Sequence, residues 1–192
     1  MALTALPPAH AEAAEWQLRP FAGVTFGAAT TFVSTEVGAR LALGVSGVLL
    51  GNVVGLEGDV ERVPGLFQNA EPLLTVASSS ATTVTGNLIV AVPRRLTEYT
   101  LRPYFVGGVG LMRARIDRPA GGEGLRVAST LPAMDVGGGV TGFLSDRVGL
   151  SWEGRWFRSV SGSSVGLSIG DEKVSFWRAT MAVAIRLTRR SQ

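Results

Sequence analysis

Between Val53 and Glu61 the chain alternates strictly: Val54, Leu56, Gly58 and Val60 fall on one parity, Glu57, Asp59 and Glu61 on the other. Successive side chains of a strand point to opposite faces, so this spacing specifies a strand with one apolar and one charged face. The same period recurs along the chain. Ala22, Val24, Phe26 and Ala28 share a face within Arg19–Ala28, and Leu41, Leu43, Val45 and Leu49 share one within Leu41–Leu50. Leu88, Val90 and Val92 oppose Thr85 and Asn87, while Met134, Val136, Gly138 and Val140 oppose Asp135 and Thr141. Val148, Leu150, Trp152 and Trp156 oppose Ser151, Glu153 and Arg155. Near the end, Trp177, Ala179, Met181, Val183, Ile185 and Leu187 oppose Arg178, Thr180 and Arg186.

The eighth such segment is RPYFVGGVGLMRARID, Arg102–Asp117. From Tyr104 onward its even row, Tyr104, Val106, Gly108, Gly110, Met112, Ala114 and Ile116, carries no charge, whereas the odd row ends in Arg113, Arg115 and Asp117. The charge-free parity is therefore expected to face outward, with Phe105, Val109 and Leu111 filling the interior and Arg113 pointing inward. The glycines here and in Gly137-Gly138-Gly139 do not make a nucleotide site. No strand-turn-helix context, downstream acid or Lys-Ser/Thr pair accompanies them.

Eight segments of about ten residues match the length of a tilted strand crossing a bilayer. Hydrophobic residues make up 46% of the 192 and charged residues 17%, with a mean hydropathy of +0.28. The best candidate for a membrane helix is the uncharged apolar stretch Leu41–Leu56, interrupted by Gly51-Asn52. It is shorter than the roughly 20 residues a membrane helix needs, and its centre reads as a hairpin turn. An apolar chain without a spanning helix still crosses a membrane if its strands close, because closure satisfies every backbone polar group. Charge costs about 2–4 kcal/mol on a lipid face at the midplane, so its absence from one parity points to lipid.

Connection lengths alternate. Short links follow the second, fourth and sixth strands, at Gly51-Asn52, Pro93–Leu101 and Ser145–Arg147. Long ones are expected over Ala29–Arg40, Arg62–Thr82, Ile116–Pro132 and Arg158–Ser175. Short turns at one end and long loops at the other characterise outer-membrane barrels. Aromatic residues collect at strand ends, Trp156, Phe157, Phe176 and Trp177 at the loop end and Trp16, Tyr99, Tyr104 and Phe143 at the turn end, as an interfacial girdle would. Trp152 lies mid-strand and fits no girdle.

WQLRPFAGVTFG, GLEGDVERVPGLF, TGNLIVAVP, RPYFVGGVGLMRARID, DVGGGVTGFLSDRVGLSWEGRWFR and FWRATMAVAIRL, taken in order, resemble the strands of the bacterial outer-membrane β-barrel domain family. The small barrels of outer-membrane proteins A, X and W are of this kind. The resemblance implies an all-β, eight-stranded, antiparallel up-and-down transmembrane barrel with short periplasmic turns and long extracellular loops. It covers residues 16–187, within a barrel domain expected at 16–190. It implies location in the bacterial outer membrane. It also implies contact with outer-membrane lipid and lipopolysaccharide, and insertion by the barrel-assembly machinery. Two features depart from the pattern: the C-terminus lacks an aromatic residue, and residues 1–15 read as a shortened signal peptide or a tail, with Ala9-His10-Ala11 as an A-x-A site.

Catalysis finds little support. His10, the only histidine, lies in the leader-like stretch and would be lost on cleavage after Ala11, and cysteine is absent, so neither histidine-based nucleophilic chemistry nor a thiolate metal site is expected. No enzyme activity and no cofactor are expected. The basic residues are scattered and, but for Lys173, all arginine, so nucleic-acid binding is not indicated. What remains is a lumen charge network of Glu57, Asp59, Glu61, Arg113, Asp135, Glu153, Arg155, Arg178 and Arg186. It reads either as a charge-paired plug or as a polar passage, with Glu57, Asp59 and Glu61 as a conceivable cation site. The expected role is structural, or an interaction made by the outer loops. The alternatives are a narrow channel for small or apolar solutes and a soluble barrel with a lipid inside.

Overall fold

The computed structural model describes residues 14–30, 39–65, 78–97, 101–118, 125–160 and 174–187. The leader-like stretch at 1–13 and Tyr99 lie outside these. Eight strands account for nearly all of them: β1 (Glu15–Thr30), β2 (Arg40–Leu50), β3 (Val54–Pro64), β4 (Ser78–Ala91), β5 (Leu101–Arg118), β6 (Leu125–Phe143), β7 (Val148–Ser159) and β8 (Val174–Arg186). Each strand pairs antiparallel with its chain neighbours, and β8 closes on β1. Closure leaves no edge.

The turn end is compact. Gly51 N donates to Val54 O at 2.9 Å, and Leu144 N donates to Val148 O at 3.0 Å. Strand β1 starts at Glu15, and Leu187 N donates to Trp16 O at 2.8 Å to hold the seam. At the loop end a bulge between Phe26 and Ala29 shifts the β1–β8 register. Gly27 takes a φ of 60° there, a conformation favouring glycine. One connection departs from the sequence expectation. Strands β5 and β6 continue to Arg118 and from Leu125, so most of 116–132 is paired strand rather than loop. Asp117 is the backbone register partner of Arg126 in that extended hairpin.

Seven strands present the expected faces. Val24, Leu43, Leu56, Leu88, Val136, Trp152 and Met181 point outward, while Glu57, Asp59, Glu61, Asp135, Arg155 and Arg178 are buried inside. Strand β5 is reversed relative to the sequence expectation. Phe105 is 76% exposed and Val109 70%, whereas Tyr104 is 5% and Met112 2% exposed. Freedom from charge does not separate lipid from lumen, because a narrow barrel also packs apolar side chains inside. Backbone spacing decides it instead. A Cβ on Gly108 would collide with the Asn87 side chain, and one on Gly110 with Val84 O and Thr85. Inward glycines thus make room for the polar residues of β4.

The reversal moves Arg113 to the outside, where it is exposed beyond the apolar belt rather than in the lumen. It also moves Tyr104 inside. Phe157 and Phe176 are likewise interior, stacked with ring centroids 5.0 Å apart, so only Trp156 and Trp177 of that loop-end group face outward. Among the described residues no helix is long and apolar enough to cross a membrane.

Candidate functional site: the barrel interior

The side chains filling the barrel form three layers. The middle one is charged. Arg155, on β7, donates from Nη2 to Glu57 Oε1 at 2.5 Å and to Glu153 Oε2 at 2.7 Å, from Nη1 to Asp135 Oδ2 at 3.1 Å, and from Nε to Glu153 Oε1. Arg178, on β8, donates from Nη1 to Asp59 at 3.2 Å and to Glu61, and from Nη2 to Glu153 at 3.3 Å. Asn87 Nδ2 adds a bond to Glu57 at 2.9 Å. The planar fork of each guanidinium serves several carboxylates at once, which an ammonium on a flexible stem does poorly.

Of the nine charges assigned to the interior from sequence, seven meet here: Glu57, Asp59, Glu61, Asp135, Glu153, Arg155 and Arg178. Arg186 belongs to a separate cluster at the turn end, paired with Glu15 at 2.5 Å. Arg113 is outside. The layer holds five carboxylates against two guanidinium groups, and Glu57 Oε2, Glu61 Oε1 and Asp135 Oδ1 are buried without a hydrogen-bond partner. In the Glu57/Asp59/Glu61 row, Glu57 pairs with Arg155, and Asp59 and Glu61 pair with Arg178.

Toward the loop end lies an apolar layer of Phe157, Phe176, Met112 and Ala133. The Arg178 guanidinium sits 4.8 Å from the Phe157 ring centroid and 4.9 Å from that of Phe21, a cation–π sandwich closing the charged layer. Toward the turn end a second apolar cluster contains Val48, Leu50, Ile89, Ala91, Tyr104 and Val106. Tyr104 Oη donates to Glu153 Oε2 at 2.9 Å and lies 3.2 Å from Ser151 Oγ, so the ring forms a floor beneath the charges.

Below that floor a vestibule of about 410 Å³ opens between Gln17, Arg19, Leu50, Thr141, Phe143, Asp146 and Arg186. Sequence reasoning missed Arg19, Gln17 and Glu15 as interior groups. Their shared odd parity on β1, opposite Leu18, Ala22 and Val24, was the available signal.

No protein-family model matches the sequence, and no curated protein matches it either. Solved structures do share the fold. Neisserial surface protein A is 15% identical, with a TM-score of 0.62 over 88% of this chain and 96% of that one. The outer membrane protein OprG from Pseudomonas aeruginosa is 15% identical, with a TM-score of 0.57 over 92% and 97%. The attachment invasion locus protein of Yersinia pestis is 14% identical, with a TM-score of 0.53 over 90% and 99%. The fold is that of the small eight-stranded outer-membrane β-barrels.

Proposed function

We propose that this chain is an integral outer-membrane barrel without enzymatic activity. Its lumen is closed by a structural charge network, and its role is structural or an interaction made by the loop end. The observation that carries this reading is the outer surface. From Trp16, Leu101 and Val148 at the turn end, the outward rows carry no charge until Arg62, Arg113, Arg115 and Arg158. Arg62 and Arg113 share Thr82 of β4 as register partner, so they stand at one height. An uncharged belt capped by exposed arginines suits a hydrocarbon layer beneath acidic headgroups, including those of lipopolysaccharide. The outward apolar rows also oppose a soluble barrel with lipid inside, which needs the reverse arrangement.

The interaction role draws support from the Yersinia pestis protein, which has been crystallised in complex with a heparin analogue, sucrose octasulfate. A channel is disfavoured by the middle layer, where Arg155 and Arg178 are each 1% exposed. Insertion by the barrel-assembly machinery follows from the same reading. Heat-modifiable gel migration and carbonate-resistant membrane association are the expected results, and release as a soluble monomer without detergent would overturn the proposal. In planar bilayers the protein should show no conductance above background; discrete openings would favour the channel.

A further inference from the structure

We propose that the turn-end vestibule is a binding site for a small organic monocarboxylate, anchored by Arg19. Three arginines line the cavity, Arg19, Arg102 and Arg186, but two are already committed. Arg102 donates to the carbonyl oxygens of Val92, Gly51 and Asn52 and ties the two flanking connections together. Arg186 donates to Glu15 Oε1 and to the Asp146 carbonyl, each at 2.5 Å. Arg19 differs. It is 3% exposed, and among the described residues its only hydrogen-bond acceptor is the neutral Gln17 Oε1, at 2.9 Å from Nε and 2.7 Å from Nη2. Gln17 in turn donates to Glu15 Oε1 at 2.8 Å, so its amide stands between Arg19 and the nearest carboxylate of its own strand. A guanidinium buried without a carboxylate is costly unless an anion completes it.

The Arg19 guanidinium is also held in place, 5.3 Å from the centroid of the Tyr104 ring, and among the described residues its Nη1 has no acceptor, which leaves that nitrogen to the cavity. The remaining walls decide the ligand class. Leu50, Ala91, Phe143 and Leu144 are apolar and Thr141 offers a hydroxyl. One guanidinium with a nitrogen left to the cavity matches a single carboxylate, and the apolar wall matches a short aliphatic or aromatic body. A phosphate dianion fits worse, because the other two arginines are engaged and Asp146 sits on the rim. A cavity of about 410 Å³ falls within the usual size of small-molecule pockets. The site does not depend on the membrane reading; only its exposure to the periplasm does.

The test is calorimetric titration of the detergent-solubilised barrel with benzoate, benzamide and inorganic phosphate. Benzoate should bind saturably, with the other two at least tenfold weaker. Arg19→Gln should lower benzoate affinity tenfold or more and Arg19→Lys should retain part of it, heat-modifiable migration confirming that both fold. Should either variant fail to fold, Leu144 on the exposed turn provides a second arm: Leu144→Glu should weaken benzoate binding and Leu144→Arg strengthen it. Absence of saturable benzoate binding, equal binding of phosphate or benzamide, or indifference to the charge at these positions would each overturn the site. Carbonate extraction and heat-modifiability report on the barrel separately.

Discussion

Arg155 Nη2 donates to Glu57 Oε1 at 2.5 Å across 98 residues of sequence. Their strands, β7 and β3, stand four apart in a ring of eight, so this bond spans the lumen at its widest. Wall-to-wall contact is possible because an eight-stranded barrel is only as wide as side chains reach. The interior is therefore cross-braced rather than lined.

Removing Arg155 should destabilise far more than its bond count implies. Arg155→Met leaves Glu57, Asp135 and Glu153 without their main cation, and breaking a buried pair from one side costs about 3–5 kcal/mol. Glu57→Gln should cost less, since Asn87 and Arg155 still find an amide oxygen there. Urea unfolding of the vesicle-inserted barrel, followed by tryptophan fluorescence, gives both values. The double variant should lose less than the two singles together, because its members share one network.

The two faces of β5 make opposite predictions. Val109→Arg places a cation on the outward belt and should cost about 2–4 kcal/mol if that surface meets lipid at the midplane. Arg113→Leu, above the belt, should change stability by no more than about 0.5 kcal/mol, as exposed substitutions do. Vesicle-folding midpoints of the pair compared with wild type measure this difference. A neutral Val109→Arg would mean that this surface does not meet lipid at the midplane.

Much of the fold was legible because period-two alternation states both the strand and its faces wherever one row carries charge. It was legible on β3, where Glu57, Asp59 and Glu61 leave no choice, and on β7 and β8. On β5 both rows are apolar through the middle, and the charges, Arg102 at the turn end and Arg113, Arg115 and Asp117 among those at the loop end, lie past the belt. Polarity was silent there, and the deciding fact was a neighbour: Asn87 on β4 needs the space that Gly108 leaves. The charged layer was legible as a set, and strand rise already separates its members: eight residues of β8 at about 3.3 Å each put Arg186 roughly 26 Å from Arg178. What the sequence does not state is the partner across the seam, Glu15.

Glycine substitutions on adjacent strands should separate the close approach from mere small size. At Gly108 an added Cβ meets Asn87 and Gly86 O, while at Gly86, facing outward on β4, it meets nothing within 4 Å. Gly108→Ala should cost about 1–3 kcal/mol, the range for overfilling a packed interior, and Gly86→Ala should stay within about 0.5 kcal/mol. Folding yield into lipid vesicles and urea midpoints measure both. Equal tolerance would mean that β4 and β5 are not as close as their register requires.

The loop-end aromatics provide the sharpest contrast between girdle and lumen, since sequence placed Phe157 and Trp177 in one group. Phe157 is fully buried, stacked on Phe176 with an interplanar angle of 11°, and the Arg178 guanidinium also lies over its ring. Phe157→Ala thus removes a ring that touches both the apolar layer and a guanidinium, and should cost about 3–5 kcal/mol. Trp177 projects from the neighbouring strand to the outside, 49% exposed. Trp177→Phe keeps an apolar ring at the same height and should cost less than about 1.5 kcal/mol, as conservative apolar swaps do. Because Trp156 pairs with Trp177 and Phe157 with Phe176 in one register, the four side chains share a height and differ in which way they point. A difference of several kcal/mol between Phe157→Ala and Trp177→Phe therefore measures the interior packing itself, and near-equal values would place Phe157 in the girdle.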